Sequence, residues 1–416
     1  MGLLPCPLAC QSNDVFDSQS HFNHLHHSDS LSTSSSLSSQ PSLPSVPSLI
    51  NPSQPPAAAH HYCAATLNGH SYVFSLAIAG KHLYSGSSDS EIQAWPRNPS
   101  SLQNSASNAV AVCNSAVKSI VVLGEKLFTA HQDHKIRVWK INNETPNEKY
   151  QNVAVLPTIS DRVSRLFAAK NYVKIRRHKK CTWVHHVDTV SALALSSDGS
   201  HLYSVSWDRS FKVWRTADFK CLESVWNAHD DAINAIAVSN DGCVYTGSAD
   251  KKIKVWKRKE GESKHTLVDT LEKHVSAVNS LALSTDGSVL YSGACDRSII
   301  VWEKDGGRGD GEGMRHMVVV GALRGHTKAI LCLAVVSDLV FSGSADKTVR
   351  IWMGGLDRKY CCLGVLEGHR GPVKCLAAAV DNSSGDSNSS SGTSYKVYGG
   401  SLDCDIKVWQ VWVPFL

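Results

Sequence analysis

Seven times along this chain an Asp is followed six places later by a Trp: Asp89/Trp95, Asp133/Trp139, Asp208/Trp214, Asp250/Trp256, Asp296/Trp302, Asp346/Trp352 and Asp403/Trp409. Around each pair the apolar pattern is the same. In His229–Trp256, HDDAINAIAVSNDGCVYTGSADKKIKVW, two alternating runs, INAIAV and CVYTGS, are split by the turn residues Asn240, Asp241 and Gly242, and a third run, IKVW, follows Asp250. Period-two alternation broken by turn residues reads as antiparallel strands. A unit of about 44 residues cannot bury its apolar faces alone, so repeated units must stack on one another. Seven such units predict an all-β chain folded as a seven-bladed β-propeller.

A His precedes the Asp by one strand in six units: His70, His186, His229, His274, His326 and His369, with Cys113 at the equivalent place in the second. The Asp falls in the turn between the second and third strands, where a buried carboxylate needs a donor. The expected chain runs from Trp256 through Thr246 and His229 to Asp250, with Ser85, Ser204, Ser292, Ser342 and Gly399 at the Thr246 place elsewhere. Repetition argues for a structural network and against catalytic or metal-binding residues, since seven equivalent active sites around a ring are implausible. Cys113 predicts a weaker fastening in blade two.

The 13 cysteines are scattered, odd in number and without a CxxC pair, which reads as free thiols in a reducing compartment and not as a zinc or redox site. No run of 18 apolar residues is present, so no membrane span is expected. The net charge of +5 hides an asymmetry, because residues 1–80 contain no Lys or Arg. Residues 1–58 are Ser- and Pro-rich and read as a disordered low-complexity tail, in which LPSVPSLI, Leu43 to Ile50, is the candidate docking motif. The propeller is assigned to 59–416. HYCAATLNG before His70 resembles the run before other repeat histidines, so residues 61–67 are expected to close the ring as the outer strand of the last blade, beside 405–409.

One interval breaks the period. Trp139 to Trp214 spans 75 residues, one blade plus an insertion, and the region 142–184 carries Lys174, Arg176, Arg177, Lys179 and Lys180. Within it SDRVSRLFAAK predicts a short helix with Ser160 as N-cap and Val163, Leu166 and Phe167 at helical spacing. The basic group reads either as a solvated loop or as a contact for a protein or acidic ligand. EKDGGRGDGEGMRH, after Trp302, lacks any phosphate-loop register, and DNSSGDSNSSSGTS, Asp381 to Ser394, reads as a loop between the first two strands of blade seven.

Residues 60–416 resemble the WD40 superfamily, and NYVKIRRHKKCTWVHHVDTVSALALS, LYSVSWDRSFKVWRTADFKCLES and NAHDDAINAIAVS, with the tail motif SLSSQPSLPSVPSL, are similar to plant WD40 proteins of the Jingubang type. The resemblance implies a noncatalytic regulator of cytoplasm and nucleus that acts through protein partners, with a transcription factor as partner and pollen germination as setting. The kinase label attached to that group concerns its repeats alone; no HRD or DFG element is present. The residues before each repeat Asp should display recognition side chains on one rim, Trp207 foremost, completed by Tyr72, Asp188, Asp231 and Lys328. An RNA-associated factor and a substrate-receptor subunit of a ubiquitin ligase are the alternatives, and nucleic acid is disfavoured because few aromatics interleave the basic group. No enzyme activity, cofactor or small-molecule substrate is expected.

Overall fold

The computed structural model describes residues 46–50, 59–97, 109–141, 150–164, 172–176, 179–259, 261–262, 264–305, 316–355, 359–381 and 392–414. The expected disorder of 1–45 and 51–58, the helical positions Leu166 and Phe167, Arg177, and most of the two glycine- and serine-rich loops lie outside them.

Among the described residues the alternating runs form seven four-stranded antiparallel sheets, each a blade, and one two-stranded sheet. Blades one to six occupy 73–112, 117–156, 190–225, 233–271, 278–323 and 330–366, with strands in chain order. The second strand of each blade is covered by neighbouring blades on both faces, and VYTGS (Val244–Ser248) is buried throughout. Every apolar cluster joins two blades. Phe341, Val349 and Ile351 of blade six pack on Val373, Val397 and Trp409 of blade seven, and Val73, Leu83 and Trp95 of blade one pack on Tyr398, Ile406 and Val408 of blade seven. Each such side chain contributes roughly 1.5–3 kcal/mol on burial, so inter-blade packing, repeated around the ring, is what holds the fold.

Blade seven is made from both ends of the sequence. His60–Asn68 pairs antiparallel with Asp405–Pro414, from His60 opposite Trp412 to Asn68 opposite Asp405, with a one-residue irregularity between Cys63 and Ala65. That strand is followed by Gly69, whose N–H donates to the Cys404 carbonyl at 3.0 Å. Gly392–Ser401, the second strand of this blade, begins inside the stretch expected to be a loop, because Gly392, Thr393 and Ser394 pair with Pro414, Val413 and Trp412.

Two expectations need correction. The insertion is shorter than 142–184, since Tyr150–Leu156 is the fourth strand of blade two. Its helix, Ile159–Val163, is capped by Thr158, whose hydroxyl accepts the Asp161 N–H, and not by Ser160. Val163 is exposed; the buried Asp161 carboxylate makes the contact instead, accepting the Cys221 N–H on the outer strand of blade three at 2.8 Å.

The second correction concerns the tail. Residues 46–50 lie on the propeller, bridged in parallel to Ala322 in the outer strand of blade five and to Tyr360 in that of blade six. Leu49 N–H donates to Ala322 O (3.1 Å), Ala322 N–H to Pro47 O (2.9 Å) and Tyr360 N–H to Leu49 O (2.9 Å). Arg324 adds a bond from Nη2 to Val46 O at 2.8 Å. An outer strand has an unpaired edge, and this segment occupies it. Ordering five residues costs roughly 1–2 kcal/mol each. Four hydrogen bonds at about 1 kcal/mol each, with about 2 kcal/mol each for covering Val46 and Leu49, are of the same size. The docked segment is therefore held by a narrow margin.

Candidate partner-binding face

The turn between the second and third strands is built alike in all blades. The residue after each repeat Asp, namely Ser90, His134, Arg209, Lys251, Arg297, Lys347 and Cys404, has φ between 66° and 76°, the left-handed region. An Asp ahead of such a residue can accept the N–H two residues on and close the turn with its own side chain. Asp250 accepts the Lys252 N–H at 3.0 Å, and Asp208, Asp296, Asp346 and Asp403 accept those of Ser210, Ser298, Thr348 and Asp405.

The second oxygen of the carboxylate meets the repeat His. In blade four His229 Nδ1 lies 2.8 Å from Asp250 Oδ2 and Nε2 lies 2.8 Å from Thr246 Oγ1, which also accepts Trp256 Nε1–H at 2.9 Å. An indole N–H can only donate and a carboxylate can only accept, so Trp256 donates to Thr246 and His229 Nδ1–H donates to Asp250, while the Thr246 hydroxyl also lies 3.4 Å from the Lys254 carbonyl. The same chain links Trp214, Ser204, His186 and Asp208, Trp302, Ser292, His274 and Asp296, and Trp352, Ser342, His326 and Asp346. In blade seven His369 keeps Asp403 at 2.9 Å, but Gly399 offers only its carbonyl, at 3.0 Å from Nε2. Trp409 leans into the space, its ring 2.7 Å from where a Cβ on Gly399 would sit.

Blades one and two depart from this pattern. His70 is exposed and, among the described residues, not paired with Asp89. Gly69 is tied to blade seven at Cys404, which carries the following His outward, and Ser87 and the Glu91 N–H serve Asp89 instead. Trp95 still donates to Ser85 at 2.9 Å. In blade two other side chains take up the turn that Cys113 leaves without a His. His131, from the second strand, sits between Thr129 (2.8 Å) and the Ser115 carbonyl (3.1 Å), and Trp139 donates to Thr129. Asp133 is gripped by both Nη atoms of Arg137, at 3.1 and 2.6 Å. Sequence reasoning missed both residues; the signal was the His in TAHQD and a cation in the third strand.

Electrostatics follow from these bonds. Burial pushes the Asp250 carboxyl up, but the His229 bond and charge and the Lys252 and Asp230 N–H groups outweigh it, and its pKa is lowered. Asp208, Asp296, Asp346 and Asp403 are lowered in the same way against their burial. Burial lowers His186, and burial with the Arg137 charge brings His131 down to about 4. Each network is closed on itself, with its donors and acceptors spent inside the blade. Among the described residues no group of three or more His, Cys, Asp or Glu side chains could hold a metal ion, and every cysteine is a free thiol.

The rim positions are held by backbone. The N–H groups of Ser88, Gln132, Trp207, Ala249, Cys295, Ala345 and Leu402 donate to the carbonyls of Tyr72, Ala116, Thr189, Ala232, Ala277, Ala329 and Pro372. Their side chains are thereby free to vary. Tyr72 is 51% exposed, and Asp188, Asp231 and Lys328 are exposed on blades three, four and six. Trp207 is half-buried, not exposed. Lys118 Nζ lies 6.0 Å from its ring centroid and 3.8 Å from that of Phe74, so blades one, two and three converge there. Phe74 and Lys118 were missed in the sequence. Both stand at the place the ladder skips in each inner strand. At that place Ser191, Asn234 and Asn279 bond the next blade's carbonyls of Ile233, Val278 and Ile330.

Four residues of the basic group, Arg177 lying outside the described residues, are on the two-stranded sheet Tyr172–Arg176 with Lys179–Thr182, where Lys174 is opposite Lys180 and Arg176 opposite Lys179. Trp183, just after it, is half-buried in the cluster between blades two and three.

Comparison with known proteins agrees with this geometry. The family model described as "WD domain, G-beta repeat" matches residues 61–96, 178–215, 219–257, 265–303, 317–353 and 360–410, which leaves out blade two. Protein ROOT INITIATION DEFECTIVE 3 of Arabidopsis thaliana is 31% identical over 185 residues, 41% of this chain and 40% of that protein. Small ribosomal subunit protein RACK1 of Drosophila melanogaster is 29% identical over 172 residues, 40% of this chain and 52% of that protein. Protein HIRA of Zea mays is 30% identical over 123 residues, 26% of this chain and 13% of that protein. The chain thus spans about half, or less, of the length of these relatives.

Proposed function

The chain belongs to the WD40 family, and from that premise we propose that it is a noncatalytic scaffold that binds proteins on the face carrying Phe74, Lys118 and Trp207. The convergence of these three side chains from three blades carries the reading. An aromatic ring with a cation beside it on a rigid frame offers an anchor whose conformational entropy is already spent. Exposed Tyr72, Asp188 and Asp231 add rim positions on blades one, three and four. The test is partner capture on immobilised full chain. Trp207→Ala should weaken the captured complex by about 2 kcal/mol or more, as expected for a buried anchor, and Lys118→Ala should weaken it less. Unchanged capture by both variants would remove this face from consideration.

One observation favours a second reading. Like charges are opposite each other in the two-stranded sheet at 172–182, an arrangement that costs stability unless an acidic group neutralises it. Lys174, Arg176, Arg177, Lys179 and Lys180 would then meet an acidic protein surface or nucleic acid, including RNA. Neutralising all five should abolish oligonucleotide binding and flatten its salt dependence if nucleic acid is the ligand. If a protein is the ligand, the change should fall mainly on the association rate. The resemblance to Jingubang-type proteins supports three finer proposals: a transcription factor as partner, a role in pollen germination, and residence in cytoplasm and nucleus. A substrate-receptor role in a ubiquitin ligase would use the same face and would appear as copurification with a ligase adaptor.

A further inference from the structure

The segment at 46–50 has the form of a bound ligand. It approaches the ring as an added strand, the mode by which sheet edges take extended peptides. Its three main-chain bonds to Ala322 and Tyr360, and the Arg324 bond to Val46 O, are all made to its backbone. Its side chains are read at two places. Val46 is 3% exposed, and Leu49 fills the space over Gly321, with its Cγ 2.5 Å from where a Cβ on Gly321 would lie and Pro47 O at 2.9 Å. Only glycine at 321 leaves that pit open.

The blade does not need the segment. Blade five is a complete four-stranded sheet, Val278–Leu283 to Met317–Leu323, without it. The next anchor in the chain is separate: Ala59 N–H donates to Leu363 O at 3.2 Å, and His60–Asn68 then enters blade seven. Residues 46–50 can therefore leave while the closure of the ring stays in place.

We propose that the edge between the outer strands of blades five and six, formed by Gly321, Ala322, Arg324 and Tyr360, is an exchangeable peptide-binding site. Its resident ligand is this chain's own Val-Pro-Ser-Leu-Ile. A partner protein engages by presenting an extended, proline-containing segment with the same spacing of a buried aliphatic residue and, three places on, a leucine. The tether through residues 51–58 keeps the resident at high effective concentration, so partner binding is a competition with it. This site lies apart from the Trp207 cluster and goes beyond the scaffold reading above.

The experiment uses the full chain and a fluorescent peptide, LPSVPSLINPS, added in trans. In the Val46→Asp/Leu49→Asp chain, two carboxylates take the places of the apolar contacts and the resident should leave. That chain should bind the peptide at least ten-fold more tightly than the native chain, while its thermal midpoint and circular dichroism stay close to native. Adding Gly321→Val should abolish binding, as should Leu→Asp at the seventh position of the peptide, LPSVPSDINPS, the place of Leu49, whereas Trp207→Ala should leave it unchanged. Three results would overturn the proposal: no peptide binding by the released chain, binding indifferent to Gly321→Val, or cooperative unfolding of the released chain, which would make the segment an integral strand. Loss of partner capture on Trp207→Ala with intact peptide binding would separate the two sites.

Discussion

Removing Asp250 tests whether the repeat carboxylates fasten the blades as the geometry says. In Asp250→Ala three donors lose an acceptor: His229 Nδ1–H at 2.8 Å, Asp230 N–H at 3.1 Å and Lys252 N–H at 3.0 Å. Asp230 is exposed and Lys252 half-exposed, so their amides can turn to water. His229 is 1% exposed and cannot. One stranded buried donor costs about 1–3 kcal/mol and each solvated bond no more than about 1 kcal/mol, so the loss should be roughly 2–4 kcal/mol. Asp89→Ala removes a carboxylate of the same turn that has no His and is exposed, and should cost less than about 1 kcal/mol. Asp133→Ala should fall near Asp250→Ala, because it strands the Arg137 guanidinium, whose side chain is only 12% exposed. Urea denaturation followed by tryptophan fluorescence measures all three. The double variant His229→Ala/Asp250→Ala should lose little more than the worse of the two single variants, since the two residues act as one unit. Equal losses for Asp89→Ala and Asp250→Ala would refute the argument, because the turn alone would then account for the stability.

Asp208, Asp250, Asp296, Asp346 and Asp403 are all lowered in the folded chain. Their contribution is therefore complete above the unfolded carboxylate value of about 4 and is lost as pH falls through the lower folded values, while His131 and His186, lowered on folding, cost stability as pH falls below the unfolded His value of about 6.5, so the urea midpoint should decline gently from about pH 6.5 and drop steeply below about pH 4. Gly399→Ser restores the hydroxyl found in other blades, yet it should destabilise by about 1–3 kcal/mol, because the Trp409 ring lies where the new Cβ must go; a gain in the thermal midpoint would show that Trp409 moves aside freely. Deleting residues 1–67 removes nearly all of the outer strand of blade seven and should give aggregates on size exclusion, since Asp405–Pro414 would become a free edge.

The fold was legible because its cause is periodic. Alternation, turn residues and the Asp/Trp spacing recur, so chance matches at one blade are corrected by the other six. The triads of blades three to six were legible for the same reason. What escaped lies where the chain solves a local problem once. His131 and Arg137 replace a missing His from other strands of the same sheet, a substitution visible only when strands are laid side by side. Phe74 and Lys118 matter because a skipped position in the ladder turns them toward Trp207, and a one-residue irregularity leaves no trace in an apolar pattern. Residues 46–50 belong to the run singled out as a docking motif within the low-complexity tail, but their seat on this chain's own blades escaped, because it depends on two apolar side chains and a glycine far away in sequence.

The irregular blades are neighbours. Blade seven has Gly399 in place of a hydroxyl, blade one leaves His70 unengaged, and blade two uses His131 and Arg137, while the four blades opposite carry complete Trp-to-Asp chains. The same side of the ring holds the joint between the two ends of the sequence, His60–Asn68 on Asp405–Pro414. The missing hydroxyl between Trp409 and His369 in blade seven, the unengaged His70 in blade one and a joint made without chain continuity all lower the free energy of local opening there. Native-state hydrogen exchange should therefore show the second and third strands of blades seven and one exchanging ahead of those of blades three to six. Blade two should be protected like the latter, because its carboxylate, though without the repeat His, has Arg137 on both oxygens. Uniform protection around the ring would mean that inter-blade packing alone sets opening and that the Asp networks add nothing to it; fast exchange in blade two would mean that an arginine does not replace the His as a fastening.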